Sequence, residues 1–206
     1  MKNISKIAII FLGTFMLVMS NTYTTQAAGE WWQPTSSISG EAHVQDKGWI
    51  SSTNKDKTYS SEVFGTTGEA KRLEAINLHG GVSFRYRLYV PQCGGWLPWI
   101  EAGYNFNPND TNTYAGTVGK AYRAEAIQID MGSNVTNCYI AYRAHVENRG
   151  WLPWVFTGDI SASTSYRFPK VTLGGTADFY STDAGLAGSG LRLEAVEISF
   201  VRCKYV

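Results

Sequence analysis

One pattern of twelve residues occurs three times without a gap, and it restricts the fold more than any other feature of the chain. The copies are Gly65-Thr-Thr-Gly68-Glu-Ala-Lys-Arg72-Leu-Glu74-Ala75-Ile76, Gly116-Thr-Val-Gly119-Lys-Ala-Tyr-Arg123-Ala-Glu125-Ala126-Ile127 and Gly185-Leu-Ala-Gly188-Ser-Gly-Leu-Arg192-Leu-Glu194-Ala195-Val196. All read Gly-x-x-Gly-x-x-x-Arg-x-Glu-Ala-[Ile/Val], and a period of two continues through Leu78, Ile129 and Ile198. Each copy is therefore a turn feeding a strand. Upstream of each lies a second alternating block, Ile38–Val44, Phe84–Val90 and Ile140–Val146, which runs into Gly48-Trp49, Gly95-Trp96 and Gly150-Trp151. Copies two and three extend this to Trp96-Leu-Pro-Trp99 and Trp151-Leu-Pro-Trp154, whereas copy one has Ser52 at the last position. The stretch from Trp to the first Gly of the pattern varies, at 16, 20 and 34 residues. Length variation of that kind belongs to surface loops, and the third stretch holds an insertion over 161–182 with Tyr166, Phe168, Phe179 and Tyr180.

A unit of two strands cannot bury its own apolar face, so repetition implies that the units cover one another. The expectation is an all-β domain over residues 37–206, made of units 37–81, 82–133 and 134–206 closed with three-fold pseudo-symmetry. A β-prism-like arrangement is the first reading and a β-trefoil the alternative, since closure removes exposed sheet edges. Abundant Gly and aromatic residues, with no sustained helical period, suit strands joined by tight turns.

The N-terminus bears on compartment. Lys2 and Lys6 precede an uncharged apolar run from Ile7 to Met19, then a polar stretch ending Thr25-Gln26-Ala27-Ala28. This reads as a secretory signal peptide over residues 1–27, too short to span a membrane, with cleavage after Ala27. The leader takes two of the 18 basic residues, leaving 16 against 17 acidic ones. A near-neutral mature chain argues against nucleic acid and anionic membrane as partners. Three Cys in an exported chain allow one bridge plus a free thiol. If the first strand and the Arg-x-Glu strand of a unit pair antiparallel, Cys138 and Cys203 come together and Cys93 stays free.

The order His-Val-Gln-x-x-Gly-Trp, Gly-Thr-x-Gly and Arg-x-Glu-Ala-Ile resembles the clostridial hydrophobic-Trp (ChW) repeat family over roughly residues 37–201. The resemblance implies an exported bacterial protein, often of tandem modules, that binds at cell or polymer surfaces.

Chemistry is weighed against binding on the same residues. Arg72, Glu74, Ile76 and Leu78 share a face by alternation, as do Arg123, Glu125, Ile127, Ile129 and Arg192, Glu194, Val196, Ile198. Charged pairs on the apolar side imply buried, mutually satisfied ion pairs of structural role, or three polar ligand pockets. Glycosidase chemistry needs two carboxylates in unlike environments, which repeat-equivalent Glu residues do not supply. His43 and His145 are repeat-equivalent, with Tyr89 between them, and suit packing near a surface. No nucleophile elbow, phosphate loop or metal signature occurs, and the oxygen-rich Asn107-Pro-Asn-Asp110-Thr-Asn112 reads as a turn, so no enzyme, metal or cofactor is expected.

Trp49, Trp96 and Trp151 stand at one place in every unit, as a symmetric core requires. Trp99 and Trp154 occupy a position that tolerates Ser52, which places them towards solvent. With Trp96, Trp151, Gln92, Glu147 and Asn148 they are the candidate ligand-binding residues, and Trp49 joins the six Arg and Glu residues as structural. The expected ligand is a glycan or polysaccharide on a cell or polymer surface. A surface protein bound through the aromatic insertion, or a membrane met by that insertion in a toxin-like protein, are the alternatives.

Overall fold

The computed structural model describes residues 32–35, 38–56, 61–132, 138–158 and 183–203. The expected signal peptide and the 161–182 insertion lie outside them. The protein is all-β, and among the described residues no helix is long and apolar enough to cross a membrane.

The strands in chain order are β1 Trp32–Thr35, β2 Ile38–Val44, β3 Gly48–Ser51, β4 Thr53–Asp56, β5 Ser61–Gly65, β6 Leu73–Gly80, β7 Arg85–Val90, β8 Gly95–Trp96, β9 Ile100–Glu101 and β10 Ala115–Gly116. They continue with β11 Ala126–Asp130, β12 Cys138–Val146, β13 Gly150–Trp151, β14 Val155–Gly158, β15 Asp183–Gly185 and β16 Leu193–Cys203. They form three antiparallel sheets, each built on the first strand of a unit paired with its Arg-x-Glu strand: β2 with β6, β7 with β11, and β12 with β16. The Gly-Trp strands β3, β8 and β13 return along the first strand as the second arm of a hairpin.

At least one strand of each sheet comes from another unit. The strand that ends in the first Gly of the pattern crosses over: β10 of unit two pairs with β6 of unit one, β15 of unit three with β11 of unit two, and β5 of unit one with β16 of unit three. The hand-over is cyclic, so every unit both donates and receives a strand. This exchange widens the sheet of each unit with a strand from its neighbour.

Glycine and alanine in the pattern are the atoms of that contact. A Cβ at Gly116 would lie 2.3 Å from the Glu74 carbonyl oxygen and 2.8 Å from the Ala75 Cβ, and one at Gly185 would lie 2.4 Å from the Glu125 carbonyl oxygen. The next residue then donates its N–H to that same oxygen: Thr117 to Glu74 at 2.9 Å, Leu186 to Glu125 at 2.9 Å, and Thr66 to Glu194 at 3.0 Å.

The core lies between the sheets, where β2 contributes Ile38, Ala42 and Val44, β7 Tyr86, Leu88 and Val90, and β12 Ile140, Tyr142, Ala144 and Val146. The expected face of the Arg-x-Glu strands requires correction. Val44 pairs with Leu73 and His43 with Ala75, so Glu74 is an extra residue in a bulge; Glu194 is skipped in the same way. In unit two Ala126 pairs with Tyr89, and the Glu125 N–H bonds to the same Tyr89 carbonyl. A bulge breaks the period of two. Leu73, Ile76 and Leu78 therefore enter the core together, while Arg72 and Glu74 leave the face that alternation assigns them. The three strands meet at their starts, where Ala124 N–H bonds to Leu73 O at 3.1 Å and Leu193 N–H to Ala124 O at 2.7 Å.

Two tyrosines extend the junctions. Beyond the short donated strand, Leu78 N–H bonds to the buried Tyr86 hydroxyl at 3.0 Å, and Ile129 N–H to that of Tyr142 at 3.3 Å. Burial pushes both phenols well above their usual range. Tyr86→Phe is expected to cost about 1–3 kcal/mol, because it strands a buried N–H without an acceptor while keeping the ring. Urea unfolding of the variant measures this.

The antiparallel pairing behind the expected Cys138–Cys203 bridge is present, with Cys138 opposite Arg202 in register. The Cys203 side chain lies outside the described residues, and so does the bridge. Cys93 is exposed in a single 3₁₀ turn, Pro91–Cys93, with a free thiol.

Candidate functional site

On each sheet the face away from the core carries a repeated set of polar and aromatic side chains, positioned by the bulge and the Gly-Trp hairpin. At the bulge of unit one, Glu74 Oε1 accepts from Arg72 Nε at 2.7 Å, and Oε2 lies 3.0 Å from His43 Nδ1. Unit three repeats this: Glu194 Oε1 accepts from Arg192 Nη2 at 3.0 Å, and Oε2 lies 3.1 Å from His145 Nδ1. Both His contacts have ion-pair distance but are off the line of a good hydrogen bond. In unit two Glu125 is 0% exposed and held by Arg123 Nε at 2.9 Å. Tyr89 replaces the His there, and Glu125 Oε2 is buried without a hydrogen-bond partner. The glutamates are buried and the arginines half-buried.

The Gly-Trp indoles stand edge-on to this set. His43–Trp49, Tyr89–Trp96 and His145–Trp151 have ring centroids 5.3, 5.4 and 5.2 Å apart, all near perpendicular. Trp49, Trp96 and Trp151 are half-buried and lie outside the core cluster, which corrects the reading of them as a symmetric core. The hairpin turns them to the face that His43, Tyr89 and His145 occupy, opposite Ala42, Leu88 and Ala144.

The second Trp also differs from expectation. Trp154 is 7% exposed and thus more buried than Trp151, while Trp99 is half-buried. After Pro153 the chain pairs Val155–Gly158 with β12, which presses the Trp154 ring onto Arg143, with the guanidinium carbon 4.6 Å from its centroid. Arg143 also lies 4.9 Å over Trp151, and its Nε and Nη2 donate to Glu197 Oε2 at 2.9 and 2.7 Å. Ser61 of unit one donates to Glu197 Oε1 at 2.8 Å, so a fully paired buried charge joins units one and three.

Unit two builds a longer and more open version. Arg87 lies 5.0 Å over Trp96 and 4.3 Å over Trp99, and Arg85 lies 4.7 Å over Trp99. Arg87 Nε donates to Gln128 at 2.7 Å, and Gln128 donates to Asp183 at 2.6 Å. Arg85 pairs with Asp130 at 2.8 Å. The Gly132 N–H and then Arg85 hold the Asp130 carboxyl below its usual range. Sequence reasoning missed this ladder. Its signal was an Arg two residues before Tyr89 and His145, facing the third residue after each motif Glu.

Gln92 and Asn148 are exposed in the turns at the far end of the hairpins, Asn148 with φ of +60°. Glu147 makes an ion pair with Arg192. The structure does not bring these three to Trp99 and Trp154, which fold back the other way. The 107–113 segment is a turn closed by Asp110 N–H to Asn107 O at 2.9 Å and Thr113 N–H to Asp110 O at 3.0 Å.

No curated protein and no solved structure matches the chain. A family model described as Clostridial hydrophobic W, ChW, matches residues 43–79 and 94–131. The first match runs from the His43 of one bulge contact to the end of its Arg-x-Glu strand. The second begins at the Gly-Trp turn and ends just past the corresponding strand. The chain thus carries two ChW repeats, at residues 43–79 and 94–131.

Proposed function

We propose that this chain is a secreted, non-enzymatic module that binds glycans or polysaccharide on a cell or polymer surface. The reading includes a third, diverged copy over 134–206 and a β-prism-like arrangement with three-fold pseudo-symmetry. The cyclic exchange of strands and the matching Glu–Arg and His–Trp contacts of the third unit support both.

The observation that carries the function is the placement of indoles on the outer faces of all three sheets. Trp49, Trp96, Trp99 and Trp151 are half-buried beside polar groups, where a sugar C–H face meets indole and hydroxyls meet carboxylates, amides and guanidinium groups. The motif glutamates support a binding module over a hydrolase, since each is tied to its Arg in the same structural contact.

A glycan and polysaccharide array with the mature protein tests the reading. Trp99→Ala is expected to weaken binding about tenfold or more while shifting Tm little, because Trp99 stays half-exposed and its cation–π contacts at a wet site contribute only ~0.5–1 kcal/mol each. Retention of binding that no oligosaccharide competes away points instead to a protein partner and rejects the glycan reading.

A further inference from the structure

The three outer faces are not equivalent, and the difference concentrates in unit one. The position two residues before the His or Tyr is Arg87 in unit two, Arg143 in unit three and Glu41 in unit one. In register these face Gln128, Glu197 and Asn77. In units two and three the guanidinium therefore supplies donors to the facing oxygen and stacks on the second Trp. Unit one lacks both that Arg and that Trp, with Ser52 in the Trp position. What remains is a pair of acceptors beside the Tyr86 hydroxyl: the Asn77 side chain, 1% exposed, interacts with that hydroxyl, while the atoms Glu41 Oε2 and Asn77 Oδ1 are buried without a hydrogen-bond partner of their own. The Asn77 amide is held in this orientation by its Nδ2, which donates to Thr113 O at 2.7 Å. A flip would set two oxygens against each other.

By register, Trp49 shares a sheet face with the pair. Trp49 packs against Phe106 at 4.7 Å and Tyr114 at 5.2 Å, both from the unit-two segment that crosses this face. One position along β6, His79 bonds to Ser39 and lies 4.7 Å from the ring of Tyr104, which is 70% exposed. Among the described residues Glu41 has no cationic partner.

We infer that this face of unit one takes the ammonium group of an amino sugar, with Glu41 and Asn77 as acceptors and the Trp49–Phe106–Tyr114 cluster beside the sugar ring. The inference rests on the glycan reading and names its ligand class. Two buried acceptors, one of them charged, call for a donor that brings positive charge, and the sister units meet the same need with their own Arg. A bridging water supplies two donors and no charge. An ammonium supplies three donors and cancels the carboxylate.

The test is titration calorimetry of the mature protein with a glucosamine oligosaccharide and with its fully N-acetylated form, which has the same ring and no charge. The free amine is expected to bind about tenfold tighter or better, the scale of one charge-assisted hydrogen bond. Glu41→Gln should remove that preference with Tm retained. Glu41→Arg with Ser52→Trp, which rebuilds the arrangement of the sister units, should abolish amine binding in a folded protein. Equal affinity for the two forms, or an unchanged preference in Glu41→Gln, overturns the inference and leaves the glycan reading intact. Binding of neither form, with an empty glycan array, overturns both. Tighter binding of a lysine-containing peptide than of the amino sugar overturns the ligand class in favour of a protein.

Discussion

Gly116→Ala is expected to lose about 3 kcal/mol or more of stability, the largest effect of any single-methyl substitution discussed for this chain. Two costs add. At φ of +115° an L-residue is strained, at ~1–3 kcal/mol for such backbone. The new Cβ would also stand 2.3 Å from the Glu74 carbonyl oxygen, inside a contact that cannot open without breaking the 2.9 Å bond from Thr117 N–H, and overpacking of this kind costs a further ~1–3 kcal/mol. Gly119→Ala is the control. Gly119 also has positive φ, at +72°, yet a Cβ there meets nothing within 4 Å, so only the ~1 kcal/mol of a left-handed alanine applies. Urea midpoints of the two variants decide the matter. Equal losses would show that backbone strain alone acts and that the close approach between units contributes nothing.

Trp154→Ala is expected to destabilise by ~3–5 kcal/mol, as a large-to-small change in a buried site. Trp151→Ala should cost less, ~1–2 kcal/mol by the area its half-buried ring removes from water. Trp154 is 7% exposed and covers Arg143, whose charge is paired with Glu197 inside the protein, so removing the ring also admits water to that pair. Thermal melts of both variants measure the order. The reverse order would return Trp154 to the surface and restore it as a platform for ligand.

The gap between the sequence expectation and this prediction has a physical origin. Ser52 in copy one suggests that its equivalent is solvent-facing, since a core site does not tolerate Ser. In unit three, however, burial comes from pairing of Val155–Gly158 with β12 and from the Arg143–Glu197 pair beneath the ring. Unit one has neither the Arg nor the Glu, so its Ser reports a different neighbourhood and not a surface position.

The sequence by itself determined the repeat, the all-β class, the strand carried by each Arg-x-Glu-Ala pattern, its antiparallel partner and the pairing of each Arg with its Glu. These follow from period, turn residues and spacing, which are local properties of the chain. Only the tertiary structure decided which face each charge takes, because one bulged residue at Glu74 or Glu194 shifts every neighbour by one place in the alternation. It alone decided that each first glycine serves the neighbouring unit, since that role depends on a carbonyl of another unit lying 2.3–2.4 Å from where a Cβ would be. The place of the indoles was likewise a tertiary matter. The identity Gly-Trp is the same in all three units, but the burial of a ring depends on the strand, guanidinium or loop that comes to lie against it, and those partners differ from sheet to sheet.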